Sequence, residues 1–151
     1  MQEKKFTEAT MKSILKSAKL KVTPPRLAVL SHLIEAGRPL SHTEIHEQMP
    51  DMDRVTLYRT LTAFVESDIA HQVQGLDGMW RFCAHSRGAG GCPGNHPHFL
   101  CTVCGRMTCL LDQSMPRVGV PEGCRVDGKQ LVAYGTCAEC ILYGRESAID
   151  R

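Results

Sequence analysis

The stretch SHTEIHEQMPDMDRVTLYRTLTAFVES, residues 41–67, holds two helices and the break between them. Ser41 and Glu44 stand at the S-x-x-E spacing of a capping box, in which each side chain satisfies the other residue's backbone amide. They open a short helix through Ile45 that must finish near Met49, because Pro50 pushes the residue before it out of helical geometry. Asp51 or Asp53 caps the next helix, which runs towards Ser67. At about 3.6 residues per turn, Leu57, Leu61, Phe64 and Val65 share its inner face. Thr56, Tyr58, Arg59 and Thr62 are left outward or flanking. Short helix, short turn and longer helix make the cadence of a helix-turn-helix.

Before this stretch, residues 7–18 put Met11, Ile14, Leu15 and Ala18 on one helical face. Thr23-Pro24-Pro25 reads as a cap with prolines in the first turn of a helix that turns Leu27, Leu30, Leu33 and Ile34 inward. Gly37 and Pro39 stop it. After the stretch, residues 69–73 and 79–83 read as strands around Gly75-Leu76-Asp77-Gly78, a hairpin turn. Helices followed by a small hairpin form a winged helix. Lys4, Lys5, Lys12, Lys16, Lys19, Lys21 and Arg26 crowd the first helices and could offer an edge to phosphates. A solvated helix face explains any one of them as well, and the formal net charge of +2 is too small to argue for nucleic acid by itself.

Residues 85–95, HSRGAGGCPGN, are too rich in glycine for regular structure and read as a hinge. Beyond it, residues 99–101 and 106–111 flank a CxxC-Gly knuckle, and residues 125–134 read as another strand. The expected fold is α+β: a winged-helix domain over 1–84, the hinge, and a small α/β domain over 96–151. A chain of 151 residues divided in this way has little core per domain, so a metal or a partner subunit must help. The chain carries no long apolar run of the kind that spans a membrane or leads a secreted protein, so a cytoplasmic protein with no membrane partner is expected. There, cysteines serve as thiolates, and all eight lie from Cys83 onward.

Cys101-x-x-Cys104-Gly and Cys137-x-x-Cys140 are two thiolate pairs that can close a tetrahedral zinc site and staple a domain poor in core. A redox CxxC would need only one pair, at a helix start in a thioredoxin-like pattern, and neither pair is preceded by one. A second set, His71, Cys83, His96 and His98, is drawn from the wing, its end and the strand entering the first knuckle. His96-Pro97-His98 places both imidazoles on one side of an extended segment. Each residue alone has a plainer explanation: a surface histidine, a small buried thiol, a solvated strand end. No HExxH or similar motif supplies a general base beside an open metal position, so an enzyme is not expected.

Three segments taken together, Val22-Thr23-Pro24-Pro25-Arg26-Leu27, Val55-Thr56-Leu57-Tyr58-Arg59-Thr60-Leu61 and the run from His96 to Gly105, resemble in order the signatures of the ferric uptake regulator family. The resemblance covers nearly the whole chain. It implies a DNA-binding winged helix joined to a dimerisation domain holding a four-cysteine zinc. It further implies that Thr56, Tyr58 and Arg59 meet DNA on the recognition helix, with Arg26 near the backbone. It assigns His71, Cys83, His96 and His98 to a sensing site at the hinge. A thiolate at Cys83, where the iron and peroxide branches usually carry a carboxylate, resembles the zinc sensors, and thiolate with imidazole suits zinc. The implied protein is a homodimeric, zinc-responsive repressor of zinc uptake genes. It would bind double-stranded operator DNA, hold two zinc ions per subunit and take no small-molecule substrate; an iron, manganese or peroxide sensor is the alternative.

Three features depart from the family pattern. Cys109 falls where the iron branch often has a glutamate ligand, and could replace a histidine of the sensing site or simply pack. A third metal site is missing, since Pro97, Pro116 and Thr136 stand where its ligands would be. Pro116, Gly119, Pro121 and Gly123 shorten or remove the helix expected over residues 114–123. Cys92 and Cys124 read as free thiols.

Overall fold

The computed structural model describes residues 6–84 and 96–145. The expected hinge, Cys92, Lys4 and Lys5 lie outside the described residues. The chain divides into two compact units, 1–91 and 92–151.

In the first unit, α1 (Glu8–Ser17) begins where the Thr7 hydroxyl accepts the Thr10 amide at 3.2 Å. Helix α2 (Pro24–Ala36) starts differently. Thr23 is its N-cap but makes no side-chain capping bond; Pro24 and Pro25 preset the backbone and remove amides that would otherwise lack partners. Gly37 ends it at φ 59°, a left-handed conformation that glycine adopts without strain. A two-residue strand, β1 (Leu40–Ser41), leads into α3 (His42–Gln48). Both halves of the capping box form: the Ser41 amide donates to the Glu44 carboxylate at 2.8 Å, and the Glu44 amide to the Ser41 hydroxyl at 3.2 Å. Helix α4 (Arg54–Glu66) is capped by Asp53, whose carboxylate accepts the Thr56 amide at 2.9 Å and also the Thr56 hydroxyl.

The hairpin strands β2 (Ala70–Gln74) and β3 (Trp80–Ala84) complete a sheet in the order β1-β3-β2. Met11, Leu15, Leu30, Leu33, Leu57, Leu61 and Phe64 form the core. Val29 joins them although the apolar pattern of α2 did not place it inside. On α4, Val65 is only half-buried and Thr60 is buried instead. Threonine is tolerated there because its hydroxyl donates to the Thr56 carbonyl at 2.8 Å.

The wing buries a charge. Arg81, 1% exposed, binds Asp77 through both guanidinium ends at 3.0 and 2.7 Å. Arg81 beside Asp77 holds that carboxyl below the usual range against the opposing effect of burial, with the Met79 amide assisting. Asp77→Ala should lower stability by about 1–2 kcal/mol near neutral pH, the value of charged hydrogen bonds discounted for a partly exposed carboxylate. Because the folded carboxyl titrates below its unfolded value, this contribution is complete above about pH 4 and fades as pH falls through the depressed value. Urea unfolding from pH 7 to pH 3, followed by the single tryptophan, Trp80, would check both sign and window. A parent-to-variant difference that stays constant with pH would contradict the account.

In the second unit, β4 (His98–Cys101) pairs antiparallel with β5 (Met107–Cys109) and parallel with β6 (Val132–Gly135), giving the order β5-β4-β6. Helix α5 (Ala138–Leu142) follows. The strand expected over 125–134 is thus reduced to Val132–Gly135, and the one expected over 106–111 to Met107–Cys109. The partner sets the length: β4 has four residues, and the ladder with β6 runs only from His98↔Val132 to Cys101↔Gly135. Residues 111–131 contain no helix or strand and are almost wholly exposed; over 114–123 this is the missing helix that the prolines and glycines predict.

Candidate metal centre and nucleic-acid interface

Cys101 ends β4, Cys104 closes the knuckle after it, Cys137 is the N-cap of α5 and Cys140 lies within that helix. The knuckle is drawn tight by two backbone bonds, Gly105 amide to Cys101 carbonyl and Cys101 amide to Arg106 carbonyl, both 2.9 Å. Gly105 sits at φ 76°, where a side chain would be strained. The parallel pairing of β6 with β4 delivers the second pair. Cys101 Sγ to Cys140 Sγ and Cys104 Sγ to Cys137 Sγ are each 3.9 Å, and all four sulfurs lie within 4.8 Å of one another. Tetrahedral thiolates with metal–sulfur bonds of about 2.3 Å have edges of about 3.8 Å, whereas a disulfide needs about 2.0 Å. The spacing fits a shared metal.

The sulfurs are electrostatically unequal. Burial pushes the Cys101 thiol up, but the amides of Cys104, Cys137 and Val103 point at it and, with the Cys104 side chain, bring it down to about 6. The Cys137 and Cys104 amides donate to Cys101 Sγ at 3.3 and 3.5 Å. Burial, then the three neighbouring sulfurs, push Cys140 up to about 12, and burial also raises Cys104. Cys101 is thus the sulfur most easily ionised, while burial and the neighbouring sulfurs oppose further negative charge on Cys104 and Cys140. Cys101, Cys104, Cys137 and Cys140 would hold a divalent cation as thiolates, so binding there would release protons.

The second ligand set is found as two halves, one in each unit. On the wing, His71 and Cys83 are directly opposed in the β2–β3 register. Ala70, Phe82 and Ala84 of the same strands pack on the helical core, so period-two alternation turns His71 and Cys83 to the opposite sheet face. Cys83 is fully buried and His71 half-buried. In the second unit the buried rings of His96 and His98 lie with centroids 4.4 Å apart, and Cys109 is directly across from His98. Cys124 is exposed.

On the outer face of α4, Tyr58 is 65% exposed, which removes core packing as its role, and Arg59 is exposed as well. Thr56 is half-buried and its hydroxyl is committed to Asp53. Arg26, also half-buried, donates to the Lys21 carbonyl at 2.8 Å. Of the basic residues before it, Lys16, Lys19 and Lys21 are exposed and Lys12 pairs with Glu8 at 2.6 Å. Two exposed residues of α4 were missed in the sequence, Arg54 and Val55. Helical arithmetic could have found the second: at about 100° per residue, Val55 falls between Tyr58 and Arg59 at the middle of the outward arc.

Comparison with known proteins places these features in one lineage. The profile described as "Ferric uptake regulator family" matches residues 17–120. A ferric uptake regulation protein 2 of Mycolicibacterium fortuitum is 28% identical over 146 residues, covering 90% of this chain and 96% of that protein. The ferric uptake regulator of Vibrio cholerae superposes with a TM-score of 0.60 at 22% identity, covering 83% of this chain and 98% of that one. A zinc uptake regulator complexed with zinc and DNA superposes with a TM-score of 0.61 at 20% identity, covering 91% and 94%.

Proposed function

Since the chain belongs to the ferric uptake regulator family, and is thus a metal-responsive transcriptional regulator and not an enzyme, we propose that the metal it senses is zinc. In this reading Cys101, Cys104, Cys137 and Cys140 hold a structural zinc, and His71, Cys83, His96 and His98 hold a second, regulatory one. Cys109, across from His98, is the alternative ligand. The observation that carries the choice is the strand register that sets Cys83 directly opposite His71, both on the sheet face turned away from the helical core. Thiolate with imidazole matches zinc better than iron(II) or manganese(II), whose sites lean towards oxygen. The zinc uptake regulator that superposes on this chain is complexed with zinc and DNA, which agrees with the reading.

Bound zinc supplies a fixed tetrahedral geometry and no redox chemistry. A zinc held jointly by His71 and Cys83 and by His96 and His98 would tether the wing to the second unit and narrow the spread of domain angles. Two recognition helices of a homodimer can then meet successive major grooves about one helical turn apart. Thr56, Tyr58 and Arg59 are carried to operator DNA by the recognition helix, and Arg26 lies near the backbone. By linkage, operator DNA tightens metal binding by the factor through which metal tightens DNA binding. The genes repressed are those of zinc uptake.

A sensor of iron, manganese or peroxide is the second reading, favoured by the ferric uptake name of the Mycolicibacterium relative. Anisotropy of a labelled operator duplex, titrated in parallel with zinc, iron(II) and manganese(II), separates the two. Tight binding with zinc alone is expected. Equal responses to iron(II) or manganese(II) would reassign the sensed metal and leave the family unaffected.

A further inference from the structure

We propose that Val55 reads a thymine 5-methyl group in the major groove, adding a specificity-determining residue to Tyr58 and Arg59. The inference rests on the DNA-binding reading above. Asp53 is the N-cap of α4, so Val55 is the second residue of the first turn. In a helix-turn-helix, residues at the N-terminal end of the recognition helix go to the base edges. Side chains on a helix lean towards its N-terminus, which carries Val55 further in that direction.

Val55 is 58% exposed at the centre of the outward arc. Around it stand Arg54, Tyr58 and Arg59, all exposed, and among the described residues neither guanidinium has a carboxylate within salt-bridge distance. An apolar centre flanked by two guanidinium groups, with the Asp53 carboxylate engaged by the Thr56 hydroxyl and amide, suits a surface whose edge is phosphate and whose middle is base. The thymine methyl is the apolar group that base pairs present in the major groove. Any other base edge beneath a valine would lose water from its donors and acceptors and gain no partner. Branching at Cβ restricts valine to essentially one helical rotamer, so its methyl groups are held in place before DNA arrives.

The test uses the zinc-loaded full chain and the duplex it enriches from a randomised library. Each thymine of that duplex is replaced in turn by uracil, which removes only the methyl, and binding is compared between parent and Val55→Ala. Alanine is the better helix former, so the exposed substitution does not threaten the fold. For the parent, uracil at one position per half-site should weaken binding about fourfold, the factor corresponding to ~0.8 kcal/mol per buried methyl. In Val55→Ala the penalty at that position should fall to near unity, while any penalty arising from Tyr58 persists elsewhere. If no thymine shows a penalty that depends on Val55, the inference is overturned, while enrichment of the duplex by the parent leaves the DNA-binding reading intact. Failure to enrich any duplex would overturn both.

Discussion

Replacing Cys101 with serine is expected to strip the second unit of its structural metal and of its folded state, while the helices of the first unit survive. Among the described residues, the buried apolar groups of the second unit are Leu100, Cys101, Met107 and Cys140, with Pro97 beside them. Two of the four are the cysteines themselves, so the thiolate cluster and the core are largely the same object. Structural zinc sites bind with apparent free energies of about 10–16 kcal/mol, as much as the entire stability of an ordinary domain. Serine removes the sulfur towards which the Cys104 and Cys137 amides converge. The check is amide hydrogen exchange: protection in β4 and β6 should collapse, with α2 and α4 protected as in the parent. Native mass spectrometry should show the loss of one metal per subunit. Chelation of the parent should reproduce both results. Full protection of β4 in a metal-free chain would mean that Leu100 and Met107 suffice, and the staple would be only an accessory.

The second large effect separates sensing from folding. Cys83→Ser should leave the structural metal and the fold in place but reduce zinc-triggered affinity for DNA by about 100-fold, near the upper end of usual coupling between two sites. Cys83 is fully buried on β3, and serine is slightly smaller, so the wing should accommodate it without rearrangement. Its hydroxyl is a poor zinc ligand at neutral pH, which leaves three donors for a four-coordinate ion. The measurement is zinc content together with operator anisotropy, with Cys109→Ser treated in the same way. Retained zinc response in Cys83→Ser alongside loss in Cys109→Ser would transfer the thiolate ligand from the wing to β5. Loss of both metals would show that the two sites fold as one.

Much of this was legible in one dimension. The capping box at Ser41 and Glu44, the prolines opening α2 and the Gly37 stop all act between residues a few positions apart, and each formed where its spacing placed it; of the two candidate caps of α4, Asp51 and Asp53, the structure uses Asp53. The four cysteines were legible for a related reason: two CxxC pairs carry a chemical requirement, four sulfurs around one ion, that the fold has to satisfy. Strand extent was not legible. The strand expected over 125–134 passed over Asp127-Gly128, a turn signal, and β4 offers a ladder only four residues long, so the chain before Val132 stays exposed. The pairing of β1 with β3 was missed because a two-residue strand has no period to read. Burial of Arg81 required the hairpin to bring Asp77 within reach, and the central place of Val55 on α4 required knowing which arc the core consumes. Caps, stops and ligand spacings come from neighbours along the chain, whereas strand length, buried charge and the exposed face of α4 come from partners that meet only when the chain has folded.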